Sequence, residues 1–210
     1  MKIQKEYSVI YFQKKYLYTK KNVFLRANKN DVFMSKITID DKQFVKYISE
    51  KEIDEAVTKV AQAVNDEYKN DVPIIILVLN GSIIFGSDLL KKLTIPCRVS
   101  CIRLSSYEGV KSTANVKNFI GLVEDLKDQR VLIIEDIVDT GNTYEHILNM
   151  LKAENVKDVK IATMTYKPNA YKKPFPIDFV GIEIPNKFIV GRGLDYNGLG
   201  RNLPDIYQVC

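Results

Sequence analysis

Val131-Leu132-Ile133-Ile134-Glu135-Asp136-Ile137-Val138-Asp139-Thr140-Gly141-Asn142-Thr143 is the stretch whose reading decides the fold. A short apolar run rich in β-branched side chains, closed by two acids, predicts a buried strand. Glu135 and Asp136 then stand at its carboxyl end, where open α/β sheets bind ligands. A helix is predicted from near Gly141, with Tyr144, Ile147, Leu148 and Leu151 turned inward. Backbone amides at a helix start, with a glycine allowing close approach, make an anion site. Thr140 and Thr143 add hydroxyl donors. The segment therefore offers acids for ribose hydroxyls or magnesium beside a cradle for a phosphate.

A plainer account is a strand, a turn and an N-capped helix with solvated acids. Asp-Thr-Gly alone would favour that account; the full run of apolar residues, paired acids and DTGNT does not. The segment lacks the GxxxxGK[ST] spacing of a Walker A loop. Asp136 and Asp139, with two residues between them, do not fit the DxDxT order of haloacid-dehalogenase-type phosphatases.

Outward from this motif the chain alternates strands with helices. Ser49 and Glu52 match a capping box, and behind them Ile53, Val57, Val60, Ala61, Val64 and Tyr68 share one helical face. Pro73 to Leu79 is a second buried strand ending at Asn80-Gly81, and a helical pattern runs from Ile83 to Leu93. Further strands are predicted at Arg98 to Leu104, Val159 to Thr165, Phe179 to Glu183 and Phe188 to Val190. Ser105 to Asn118 is polar and without period, and long loops of this kind often serve as lids. Alternation of this type implies an α/β fold with a mostly parallel sheet flanked by helices.

Composition narrows the class. With 210 residues, 46% hydrophobic and 27% charged, the chain suits one compact domain with room for a small appendage. No apolar run approaches the roughly 20 residues that span a bilayer, and the N-terminus has no secretory pattern. Three cysteines without CxxC spacing argue against a disulfide framework or a zinc site and fit a reducing cytoplasm. The lone histidine, His146, excludes a histidine-rich metal centre. Residues 1–33 hold eight Lys/Arg against two Asp/Glu, net +6, whereas the remainder holds 23 against 24, net −1. The basic excess thus lies outside the folded body, which argues against a nucleic-acid binder. Residues 1–33 read as a dispensable extension, or as a start codon placed too far upstream of Met34; the domain proper is expected over 34–210.

The central motif resembles the phosphoribosyl pyrophosphate motif of type I phosphoribosyltransferases, and other stretches are similar to their hypoxanthine-guanine branch. Leu79-Asn80-Gly81-Ser82 resembles its pyrophosphate loop, and Ser106-Tyr107 the pair on its mobile catalytic loop. Lys167 stands where the family reads the purine, and Asp178 to Gly191, Leu194-Asp195-Tyr196-Asn197 and Arg201 resemble its base-pocket tail. The resemblance covers about residues 36–210. It departs where Asn80 and Asn142 replace lysines found in some members, each removing a positive charge near a phosphate.

The resemblance implies a type I phosphoribosyltransferase fold with a small hood from about 36–48 and 184–210. It implies purine salvage: transfer of the 5-phosphoribosyl group to N9 of hypoxanthine, and of guanine, with release of pyrophosphate. Asp139 is expected to be the catalytic base. Glu135, Asp136, Asp139, Thr140, Gly141, Asn142 and Thr143 are expected around the phosphoribosyl group and its 5′-phosphate. Asn80, Gly81, Ser106, Tyr107 and Arg201 are expected at pyrophosphate, and Lys167, Phe188, Ile189 and Asp195 at the base. Mg2+ is the implied cofactor, at Glu135, Asp136 and Asp195. A cytoplasmic homodimer or homotetramer without nucleic-acid or membrane partners is implied. A nucleotide-sensing regulator on the same fold is the alternative, since a fold alone does not fix function.

Overall fold

A computed structural model describes residues 36–104 and 124–210. Its centre is a five-stranded parallel sheet in the order β4-β3-β5-β6-β7, built from Ile74–Leu79 (β3), Arg98–Arg103 (β4), Arg130–Val138 (β5), Asp158–Tyr166 (β6) and Phe179–Glu183 (β7). A second, antiparallel sheet joins Lys36–Ile39 (β1), Lys42–Ile48 (β2), Ile189–Val190 (β8) and Ile206–Val209 (β9) in the order β1-β2-β9-β8. Among the described residues three helices accompany them: α1 (Glu50–Glu67), α2 (Ile83–Leu90) and α3 (Asn142–Ala153).

Successive strand residues face opposite sides, so each central strand feeds two cores. Ile75, Leu77, Leu132 and Ile134 pack with α1 and α2, while Ile74, Ile76, Val131 and Ile133 pack with Tyr144, Ile147 and Leu151 of α3. Full burial of each such aliphatic side chain stabilises by about 1.5–3 kcal/mol. The predicted apolar face of α1 is buried from Ile53 to Tyr68. Ser49 forms the capping box: its hydroxyl accepts from the Glu52 amide at 3.3 Å, and the Glu52 carboxylate accepts from the Ser49 amide at 2.8 Å. At the opposite end of the sheet Arg130 pairs with Glu67, with Asp71 at 2.7 Å and with Asp158 at 3.0 Å, and lies 4.5 Å over the Tyr68 ring.

The elements differ from the sequence reading in several places. The second helix stops at Leu90 rather than Leu93, because Lys92 and Leu93 donate to Leu89 and Leu90 and tighten the chain into turns. β5 runs past the acids to Val138, held by pairing of Ile137 with Thr165 and Val138 with Tyr166. β9 was not foreseen: Ile206–Val209 is only four residues long and finds its place between β2 and β8. Among the described residues no helix is long and apolar enough to cross a membrane.

The strand order fixes where a ligand can enter. From β3 the chain moves outward to β4, and from β5 outward to β6 and β7, so the order reverses between β3 and β5. The crevice beyond the carboxyl ends at such a reversal is the binding position in open α/β sheets.

Candidate active site

β3 and β5 bring their ends together there. β3 ends at Leu79, which a cis peptide bond joins to Asn80, and Gly81 follows. Gly81 lies so close to β5 that an added Cβ would overlap the Asp136 carboxylate. A side chain at this position would have to push that carboxylate aside. Ser82, fully buried, donates its hydroxyl to Val78 O at 2.8 Å and ties the loop back to its strand.

On β5, Glu135 and Asp136 diverge as neighbouring strand residues must. Glu135, 5% exposed, lines the pocket on the α3 side, and its Oε1 is buried without a hydrogen-bond partner. Burial, and then the neighbouring Asp136, push its carboxyl well above the usual carboxylate range. Asp136 faces Gly81, and its Oδ1 accepts from the Ile137 amide at 2.9 Å. Burial raises its pKa to about 6, against the lowering pull of that amide and of Arg201. Two crowded acids deprived of water suit a cationic or hydroxyl-rich ligand.

The loop after β5 forms the other wall. Gly141 caps α3 in the left-handed region, φ +84°. Residues 137–144 with Glu135 enclose a pocket of about 150 Å³. The first-turn amides of α3, which have no partner within the helix, supply donors for an anion. Tyr171 and Lys173 cover Gly141 from outside: an added Cβ would overlap the Tyr171 ring and lie 2.8 Å from Lys173 Cγ. Lys173 in turn donates to Glu145 at 2.7 Å.

Lys167, just beyond β6, is 6% exposed, and its ammonium donates to Asp139 Oδ2 at 2.7 Å. The Lys167 amide donates to Val138 O at 2.9 Å. Pairing of β5 with β6 thus sets these two side chains face to face.

The tail after β7 completes the surroundings. Phe188 is 46% exposed, with its ring 6.3 Å from Phe44 and 5.8 Å from Tyr196. Ile189 puts its side chain into the core and pairs with Gln208 of β9. Asp195 pairs with Arg201 at 2.6 Å and accepts from the Gly198 amide at 2.7 Å. Arg201 also donates to Gly193 O at 2.6 Å. Gly193 abuts the Gly81 carbonyl so closely that a Cβ would overlap it, which seats this tail on the β3 loop.

Among the described residues no three His, Cys, Asp or Glu side chains converge on a metal position. Glu135, Asp136 and Asp195 therefore do not form one protein-only cage, because the first two leave β5 on opposite faces and the third is taken up by Arg201. Ser106 and Tyr107 lie outside the described residues. Lys173, Glu145 and Gly193 stand beside the site although the motif reading does not single them out. For Gly193 the signal was present, in the Gly191-Arg192-Gly193 spacing. Lys173 had no signal in a lysine-rich turn.

The sheet with its crevice between β3 and β5, the loop after β5 and the covering tail belong to a phosphoribosyl transferase domain: the model of the phosphoribosyl transferase domain family matches residues 47–197. The chain is 41% identical over 165 residues to the hypoxanthine phosphoribosyltransferase of Buchnera aphidicola subsp. Schizaphis graminum, covering 77% of this chain and 93% of that one. It is 35% identical over 173 residues to the hypoxanthine-guanine phosphoribosyltransferase of Aquifex aeolicus, covering 81% and 97%. The crystal structure of a hypoxanthine phosphoribosyltransferase from Staphylococcus aureus superposes with a TM-score of 0.71 at 32% identity, covering 79% of this chain and 90% of that one. The chain belongs to the phosphoribosyl transferase family, within its hypoxanthine and hypoxanthine-guanine phosphoribosyltransferases.

Proposed function

We propose that the chain transfers the 5-phosphoribosyl group of phosphoribosyl pyrophosphate to N9 of hypoxanthine, and of guanine, giving the nucleoside monophosphate and pyrophosphate. The observation that carries this reading is the Lys167–Asp139 pair, at 2.7 Å beside the phosphate loop. A 6-oxopurine presents O6 and N7 side by side on one edge. Lys167, a donor with no acceptor when charged, suits O6, and the Asp139 carboxylate suits an N7 proton. The entering base replaces one partner of each side chain, so neither is left desolvated and unpaired.

In the reaction N9 attacks C1′, the bond from C1′ to the pyrophosphate oxygen breaks, and the N7 proton passes to Asp139. The Asp139 to Thr143 loop holds the 5′-phosphate with its amides and with the hydroxyls of Thr140 and Thr143. Glu135 and Asp136 hold the ribose hydroxyls. Phe188, still half exposed, gives the base a face to stack on. Main-chain groups at Ile189 and Asp195 border the base, and Asn80, Gly81 and Arg201 lie toward pyrophosphate.

The acids fit magnesium. An unpartnered Glu135 Oε1 and a crowded Asp136 are oxygen donors awaiting a positive charge. A set with no three-carboxylate cage matches an ion that keeps waters and is bound through one or two carboxylates plus substrate oxygens. When bound, Mg2+ would offset the charge that grows on the leaving pyrophosphate. The reading further takes the enzyme as a cytoplasmic homodimer or homotetramer, with residues 184–210 and 36–48 as its hood. No observation favours a nucleotide-sensing regulator.

The deciding assay follows pyrophosphate release from phosphoribosyl pyrophosphate with hypoxanthine, guanine, adenine or no base. Release should require a 6-oxopurine. Adenine sets a donor amine against Lys167, and sites built for one hydrogen bond reject the wrong partner by roughly 10⁴–10⁵ in kcat/KM. Adenine turnover comparable to hypoxanthine would remove Lys167 from base selection.

A further inference from the structure

The five residues from Asp139 to Thr143 include no cationic side chain. Asp139 itself is acidic, and Glu135 and Glu145 stand beside the loop. One neighbouring ammonium, Lys167, is engaged by Asp139 at 2.7 Å. Another is Lys173. Its stem runs past Gly141, with Cγ 2.8 Å from where a Cβ would sit, and its Nζ is 2.7 Å from Glu145 Oε2. Glu145 belongs to the first turn of α3, and its amide donates to Gly141 O at 2.9 Å. A carboxylate there is favourable while the helix end stands alone. It competes with any second anion brought to the same amides.

We propose that Lys173 is a positioning residue for phosphoribosyl pyrophosphate, neutralising Glu145 so that the helix start stays open to the 5′-phosphate. This rests on the reading of Asp139 to Thr143 as the phosphate cradle. Lys173 is only 21% exposed and its partner 38%, so the pair is partly shielded from solvent screening. The fold supplies this charge from the 167–178 connection rather than from the loop itself.

The test is a double-mutant cycle on steady-state kinetics. Lys173→Ala should raise KM for phosphoribosyl pyrophosphate roughly two- to fivefold at low ionic strength, less at high salt, with KM for hypoxanthine unmoved. Lys173→Arg should keep the wild-type value. Glu145→Gln should leave that KM unchanged or lower it, and the double variant should return close to wild type. An ion pair serving only the fold gives a different pattern, because losing either partner is then equivalent. If Glu145→Gln raises KM as much as Lys173→Ala, or the double variant stays at the Lys173→Ala value, the proposal is overturned. Thr143→Ala tests the cradle separately: an unchanged KM for phosphoribosyl pyrophosphate there would sink the underlying reading, whatever Lys173 does.

Discussion

Asp139 and Lys167 are 28 residues apart in the chain, and each on its own has an ordinary explanation as a turn acid or a solvated lysine. Only the register of β5 with β6, Val138 opposite Tyr166, brings them to 2.7 Å. Asp139→Asn should lower kcat by about 10²–10⁴-fold while substrate binding persists; near-normal turnover would place the proton elsewhere. Asp136 behaves differently. Its pKa is raised to about 6 by burial, so the folded protein binds a proton more tightly than the unfolded chain does. The stability this gives is complete below the ordinary carboxylate range and is lost as pH rises through about 6. The ligand-free protein at pH 7.5 therefore holds a penalised charge. Asp136→Asn should raise Tm there by roughly 2–6 °C and narrow its fall between pH 5 and 7.5, even as activity drops. A variant that melts no higher than wild type would contradict this.

At the scale of elements, most of the architecture was legible because periodicity and burial agree: the apolar face of α1 and the continuous runs of β3 and β5 lie where their patterns put them. Ends were less legible. β5 outlasts its apolar run because Ile137 and Val138 find partners on β6, a long-range fact no local pattern carries. The four residues of β9 have no period long enough to register. The loop after β5 stands out in the sequence through DTGNT, yet its outer cover does not, since Tyr171 and Lys173 reach it only through the fold. Gly141→Ala tests that cover. A non-glycine residue in the left-handed region costs about 1–2 kcal/mol, and the new methyl must also displace the Tyr171 ring, whose hydroxyl is anchored on Phe175 O at 2.8 Å. Tm should fall by several degrees, at about 2–4 °C per kcal/mol, with a raised KM for phosphoribosyl pyrophosphate. A variant with wild-type melting and kinetics would show that the cover gives way freely.

Across the whole molecule, two sheets of different kind meet at the site, and a few charged groups hold the joint. Asp205 accepts from the first amide of α1 at 2.9 Å and pairs with Lys46 of β2 at 2.5 Å. Arg192 reaches Asp88 on α2 at 2.6 Å. Residues 1–33 carry the basic excess and precede β1, and we propose that they are dispensable for catalysis. A chain starting at Met34 should melt and turn over like the full chain; loss of solubility or activity would make them part of the working protein. The joint also bears on synthesis. β9 inserts between β2, made near the beginning of the chain, and β8. Until Ile206–Val209 leave the ribosome, β2 presents an unpaired edge with Phe44 behind it, a template for wrong pairing. A message cut short before the Ile206 codon would thus yield a polypeptide whose β1-β2 hairpin never acquires its neighbour, a substrate for the quality-control machinery rather than a weakened enzyme.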